Sequence, residues 1–207
     1  MAACNKDQWK ETVQTEVQIR VENNTVSFGA NVLTIDTLII SLESLSLDGQ
    51  RLQAENIHLT SAVNSSYTLV GNTSQVSSFA VPQGTYETFQ LTSKFGGANP
   101  SITIIGEYAQ PSGDVKKVFL ELAYNEYLLQ DMVNSNSISI DKDNPGKITI
   151  SIDTEIMFDN LNPSYWNSAS QSNINGQNGI AISNSNNSDL FNQIIPKVGE
   201  SVSYKYD

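Results

Sequence analysis

The chain has 207 residues and a mass of 22.7 kDa, enough for one sizeable hydrophobic core. Its 22 acidic against 11 basic residues leave a net charge of −11, which argues against nucleic acid, because neutralising phosphates needs clustered Lys and Arg. One Cys and one His cannot assemble a zinc site, a disulfide framework or a Cys–His pair, and no run of about 18 apolar residues is present to span a membrane.

The first residues speak to location. Cys4 follows Ala2-Ala3, and small residues directly before a lone N-terminal Cys are what lipoprotein signal peptidases read. The start therefore resembles the end of a lipobox. Cys4 is the expected lipidation site, residues 1–11 the expected tether, and the charged and apolar parts of a signal peptide are expected upstream of Met1. Several acyl chains on one Cys would anchor firmly, at about 0.8 kcal/mol per buried CH₂. Asn5 suits transport to the outer membrane, and Lys6-Asp7 loosely resembles the charged signals that expose some lipoproteins at the cell surface. The alternative is a stray free thiol. Trp9 is expected in the tether or in a minor packing contact.

From Thr12 onward, apolar residues alternate with polar ones. Val13, Val17, Ile19 and Val21 share a face, with Gln14, Glu16, Gln18 and Arg20 opposite. Ile102, Ile104 and Tyr108 repeat the pattern, as do Val118, Leu120, Leu122 and Tyr124. Ile148, Ile150 and Ile152 are backed by Lys147, Thr149, Ser151 and Asp153, and Val202, Tyr204 and Tyr206 close the chain. Period two with one dry and one wet face marks antiparallel strands. Between Val32 and Leu47 the phase flips: Leu38, Ile40 and Leu42 share one face, Leu45 and Leu47 the other. That predicts a bulge, or a strand buried on both sides at its centre. Asp48-Gly49 is expected to form a tight hairpin returning through Leu52, Ala54, Ile57 and Leu59. Pro82-Gln83-Gly84, Pro111-Ser112-Gly113-Asp114 and Asp143-Asn144-Pro145-Gly146 mark further turns. Strands so spaced and punctuated predict an all-β antiparallel β-sandwich, one domain over residues 12–207.

Helix is scarce. Asn162-Pro163 can start a short turn through Tyr165, Trp166 and Ala169. Ser188 can cap a second helix with an apolar stripe of Leu190, Phe191, Ile194, Ile195 and Val198, which Pro196 should kink or stop. Sixteen of the twenty-nine residues from Asn160 to Ser188 are Asn or Ser, so residues 160–188 are expected to be largely loop around a short strand at Ile180-Ala181-Ile182.

Few constellations suggest chemistry. Asp141–Gly146 has the acids of a calcium loop, but Pro145 and Ile152 stand where ligands belong, so a hairpin turn is expected and no metal site is assigned. Asp153, Glu155 and Asp159 are close in sequence, as glycosidase carboxylates could be, yet alternation puts Asp153 and Glu155 on the wet face. His58 should point away from the side that carries Ile57 and Leu59, and no nucleophile elbow accompanies it. No catalytic residue and no cofactor are assigned. Tyr165-Trp166, ringed by amides, is the candidate ligand-binding pair, since a ring can stack on a pyranose while amides bond its hydroxyls. The alternative is that Trp166 plugs one end of the sandwich.

Three features together look like a bacterial lipoprotein family of unknown function: Cys4 with its polar tether, the run Leu38–Gly49 ending Leu45-Ser46-Leu47-Asp48-Gly49, and Val81-Pro82-Gln83-Gly84-Thr85-Tyr86. The resemblance covers about residues 12 to 160, and its Pro-x-Gly-x-Tyr strand start is shared by transthyretin-like and carbohydrate-module sandwiches. It implies a β-sandwich on the cell envelope and offers no catalytic residues. A class of copper-associated periplasmic lipoproteins has a similar first half, but the Trp- and Asp-rich motif it carries next is absent after Phe95.

The function expected is a non-catalytic, outer membrane-anchored lipoprotein, facing the periplasm or the cell surface. It would bind a ligand or partner, a glycan or an envelope protein, through sandwich loops. The alternative is a structural or assembly subunit of an outer-membrane or surface complex. An envelope glycoside hydrolase using Asp153 or Glu155 has the least behind it.

Overall fold

The computed structural model describes residues 10–52, 54–71, 73–133, 137–174 and 176–207; Cys4, Trp9 and most of the expected tether lie outside them. In chain order the strands are β1 (Thr12–Val21), β2 (Thr25–Phe28), β3 (Asn31–Arg51), β4 (Ile57–Leu69), β5 (Thr73–Pro82), β6 (Gly84–Phe95), β7 (Ile102–Ala109), β8 (Val115–Leu122), β9 (Tyr127–Asp131), β10 (Ile138–Ile140) and β11 (Lys147–Ile152). Two short helices follow, α1 (Thr154–Met157) and α2 (Pro163–Ser168). Then come β12 (Gln171–Ile174), β13 (Gln177–Ile182), α3 (Ser188–Ile194), α4 (Lys197–Glu200) and β14 (Val202–Tyr206).

Among the described residues the strands form a four-stranded sheet, β14-β11-β1-β5, and a ten-stranded curled sheet built around β3. Their inner faces enclose a common core that takes in Val17, Ile19, Leu38, Leu47, Phe89, Ile104, Leu120 and Ile150. This is the expected β-sandwich with short helices near the C-terminus. Each of these side chains contributes about 1.5–3 kcal/mol by leaving water.

The pairing is not wholly antiparallel. β11 runs parallel to β1, and β13 parallel to β8. Alternation reveals that a strand has one dry face, but not which strand lies beside it. The parallel pairing also changes the expected wet face of β11: Thr149 and Ser151 are buried. Gln18 Nε2 donates to Thr149 Oγ1 at 2.9 Å and Arg20 Nε to Ser151 Oγ at 3.1 Å, so the longer side chains of β1 roof the shorter ones.

β3 serves both halves of the larger sheet. Residues 32–40 pair with β7, residues 42–51 with β6, and residues 38–49 also pair with β4. Its register slips three times, between Ile35 and Thr37 against β7, between Leu42 and Ser44 against β4 and β6, and between Gln50 and Arg51 against β6. The buried set steps from Leu33 and Ile35, to Leu38, Ile40 and Leu42, to Leu45 and Leu47. The phase flip read from the sequence is the second of these bulges.

Asp48-Gly49 is not a turn. β3 runs on to Arg51, with Asp48 opposite His58 and Gly49 opposite Ile57. A Cβ on Gly49 would stand 2.7 Å from Tyr86 Cδ1, so glycine is needed here for close approach of the Tyr86 ring. The Tyr86 hydroxyl reaches back to donate to the Pro82 carbonyl at 2.5 Å, pinning the corner where β5 leaves one sheet and β6 enters the other. Asp141–Gly146 is likewise no hairpin between paired strands, because β10 joins the larger sheet and β11 the smaller. Asp141 Oδ1 accepts from the backbone N–H groups of Asp143 and Asn144, both at 2.9 Å, and so shapes the crossing turn.

The Asn/Ser-rich region is more ordered than its composition predicts. It holds α2 and a hairpin of β12 and β13, with Asn173 opposite Asn178. Helix α3 stops at Ile194, ahead of Pro196, as expected. The residue at its N-cap position is Asn187, in the left-handed conformation (φ 49°), rather than Ser188. The Asn187 amide instead ties three segments, accepting from Ser170 N–H at 2.8 Å and donating to the carbonyls of Ser170 (3.0 Å) and Ala181 (2.7 Å).

Candidate functional site

Helix α2 starts as its sequence predicts. Asn162 Oδ1 accepts from Ser164 N–H at 2.9 Å and Pro163 occupies the first turn. One turn later the helix sends its two aromatic residues to different places. Trp166 is fully buried. It stacks on Tyr108 with ring centroids 5.0 Å apart and planes 15° from parallel, and Phe28 and Phe158 close in at 5.6 and 6.4 Å. The next residue locks the arrangement, since Asn167 Oδ1 accepts from the Tyr108 hydroxyl (3.2 Å) and from Gln110 Nε2 (2.8 Å). Trp166 is therefore the plug of this end of the sandwich and offers no ring face to a ligand. Its Nε1 finds no partner among the described residues.

Tyr165 points the other way and is half-buried. It forms a wall of an open cleft of about 270 Å³ that Ser168, Ala169, Ser170, Asn187, Ser188 and Asp189 complete. The volume lies just below that of pockets enclosing a drug-sized ligand, and it suits one sugar ring or the end of a chain better than an engulfed molecule. Several of the groups are committed within the protein: the Asn187 amide as above, and Ser168 Oγ to the Ser164 carbonyl at 2.8 Å. Those of Tyr165, Ser170, Ser188 and Asp189 face outward with their side-chain oxygens unused among the described residues. One aromatic wall beside hydroxyls and a carboxylate can hold a hydroxyl-rich ligand at modest affinity. Ser170 and Asp189 were not singled out by sequence. In a segment where more than half the residues are Asn or Ser, composition gives no signal that distinguishes those few.

The remaining candidates lie apart from this cleft. Asp153 caps α1, its Oδ1 accepting from Glu155 N–H at 2.9 Å and from Asn23 Nδ2 at 3.0 Å. Glu155 and Asp159 are exposed and border a shallow recess with Val26, Phe28 and Phe158. His58 is exposed on the outer face of β4, as alternation predicts, where its Nδ1 lies 2.6 Å from Asp48 Oδ1. Among the described residues no three His, Cys, Asp or Glu side chains gather to hold a metal ion.

No family model matches the chain, and no curated protein and no solved structure matches it.

Proposed function

We propose that this protein is a non-catalytic binding module of the bacterial cell envelope, held to the outer membrane by lipid on Cys4 and engaging a glycan through loops at the α2 end of its β-sandwich. The supporting observation is the Tyr165 cleft, where one partly exposed ring stands beside unused hydroxyl and carboxylate oxygens on a rigid frame. The buried Trp166 contributes by fixing that frame, because its packing sets where Tyr165, one residue earlier, emerges.

The test is affinity gel electrophoresis through soluble polysaccharides, with Tyr165→Ala beside the wild type. Tyr165→Ala should weaken retention by about five- to tenfold while leaving the thermal midpoint within a few degrees, the size of effect expected when one aromatic contact of about 1 kcal/mol is removed. Retention equal to that of the wild type would remove the cleft from the binding surface. The anchor is tested by fractionating cells that make the protein behind a lipoprotein leader. Cys4→Ser should move it from the membrane to the soluble fraction, and an unchanged distribution would refute lipidation there.

A further inference from the structure

The second bulge of β3 does more than bend the strand. Between the pairs Leu42–Ser65 and Ser44–Ala62, β3 has one unpaired residue, Glu43, and β4 has two, Val63 and Asn64. Asn64 sits at φ 45°, a left-handed conformation uncommon for a residue with a side chain. Bulges re-aim side chains, and local strain of this kind concentrates at functional sites.

Here they assemble a row across four strands. Glu43 lies beside Lys94 of β6, with Oε1 accepting from Lys94 Nζ at 2.7 Å. Lys94 pairs with Tyr127 of β9, and its ammonium stands 5.2 Å from the centre of the Tyr127 ring. Tyr127 is 66% exposed, the most open large apolar side chain among the described residues. Asn125 completes the group. A Cβ on Gly96 would stand 3.0 Å from Asn125 Oδ1 and 3.4 Å from Glu43 Oε2, and one on Gly97 would stand 4.0 Å from Asn64 Oδ1. Three polar side chains thus overhang two glycines that leave the floor bare. Glu43 Oε2 and the amides of Asn64 and Asn125 have no hydrogen-bond partner among the described residues.

The next row outward on this face is Thr60, Ser46, Thr92 and Leu129. Small hydroxyl side chains keep the surface flat beside the exposed ring. The Glu43–Lys94 pair cancels its own charge, so that pair selects neither an anion nor a cation. Two exposed apolar side chains, Tyr127 and Leu129, fall well short of the patch that a protein partner needs. What remains is an open aromatic face, a carboxylate, an ammonium and two amides, the donors and acceptors that a neutral sugar's hydroxyls satisfy.

We propose that Tyr127, Glu43, Lys94, Asn64 and Asn125 form a second, surface site for a neutral hexopyranose within an extended polysaccharide. The pyranose stacks on the open face of Tyr127, adjacent hydroxyls bond Glu43 Oε2 and the Lys94 ammonium, and the chain continues over the Thr/Ser surface. This rests on the reading of the protein as a glycan-binding module, but places a contact away from the Tyr165 cleft.

The experiment runs the wild type, Tyr127→Ala, Tyr127→Phe, Glu43→Gln and Tyr165→Ala through gels containing soluble neutral glucans, mannans and galactans, with acidic polysaccharides in parallel. Thermal melts confirm that each variant is folded. At least one neutral polysaccharide should retard the wild type. Tyr127→Ala and Glu43→Gln should each weaken that retention about tenfold or more, while Tyr127→Phe stays within about threefold. If both variants bind like the wild type and Tyr165→Ala alone is impaired, the second site is refuted and the cleft stands. If the Tyr127 and Glu43 variants are impaired and Tyr165→Ala is not, the second site stands and the cleft is refuted. Retention by acidic polysaccharides only, or by none, overturns the proposal.

Discussion

Trp166 and Tyr127 exchange the roles that their sequence neighbours suggest. Trp166 lies in the most polar stretch of the chain, between Asn162 and Ser170, yet it is fully buried. Tyr127 opens the run Tyr127-Leu128-Leu129, which has the look of core, yet Tyr127 and Leu129 are the two most exposed large apolar side chains described. The difference lies in what each element has behind it. Helix α2 closes an end of the sandwich where Phe28, Tyr108 and Phe158 leave an aromatic hole, and one large ring fills it. β9 pairs with β6 along one edge and turns Leu128 inward, so Tyr127 and Leu129 on either side of it must face out. Burial is decided by the layer an element covers, and the apolar content of the element is a secondary influence.

The largest effect should come from the closed end. Trp166→Ala would remove a fully buried indole that touches three rings, a change that costs about 3–5 kcal/mol when the cavity cannot collapse. For a chain of this length the thermal midpoint should fall by about 6–20 °C. Tyr127→Ala, on an open face, should leave it within a few degrees. Similar midpoints for the two variants would break the contrast.

Alkali should sharpen the same contrast from inside the core. Burial raises the phenols of Tyr86 and Tyr206 from 10.0 to about 12, and pushes that of Tyr204 up as well. The fold therefore favours the protonated phenol, whereas the unfolded chain ionises at its ordinary value near 10. Above that value the unfolded state binds fewer protons than the native one, so stability declines as pH rises. Denaturation by urea should give a level free energy between about pH 8 and 9.5 and a steady loss from about pH 10 to 12. Tyr206→Phe should flatten part of this loss. Because the Tyr206 hydroxyl is buried without a partner among the described residues, the substitution should also be neutral or stabilising by up to about 1 kcal/mol at pH 7. Stability that holds level to pH 12 would contradict the assignment.

How much of this was legible in the sequence varies with the range of the interaction. The alternation in β1, β7, β8 and β14 shows directly, because each strand has one buried face. The bulge in β3 shows too, since Leu42 and Leu45 cannot share a face of a regular strand. The Asn162-Pro163 helix start is a local signal and behaves as one. What fails is non-local. Asp48-Gly49 has turn chemistry, but the Tyr86 ring thirty-seven residues later needs the space that glycine leaves. The partner of β11 is β1, more than a hundred residues earlier, and no local pattern encodes it. Of the candidate pair only Tyr165 stays partly exposed, because helical geometry separates it from the buried Trp166. The Glu43–Tyr127 row was invisible, since its members are spread over four strands and only register brings them together.

Asn64 offers the finest test, separating backbone from side chain. At φ 45° its Cβ is strained, and a left-handed conformation costs ordinary residues about 1–2 kcal/mol, less for Asn. Asn64→Gly relieves that strain but loosens the unfolded chain, so the two contributions should nearly cancel. Asn64→Ala keeps the strain and lacks the local hydrogen bonding that lets Asn tolerate it. The glycine variant should be the more stable by about 1 kcal/mol, or roughly 2–4 °C in thermal midpoint. Both variants lack the amide and should bind polysaccharide equally weakly if that amide contacts sugar. A glycine variant that binds like the wild type would show instead that Asn64 serves only to shape the bulge, leaving Glu43 and Tyr127 to carry the contact. Position 64 would then belong with Gly49, chosen for the path of the backbone.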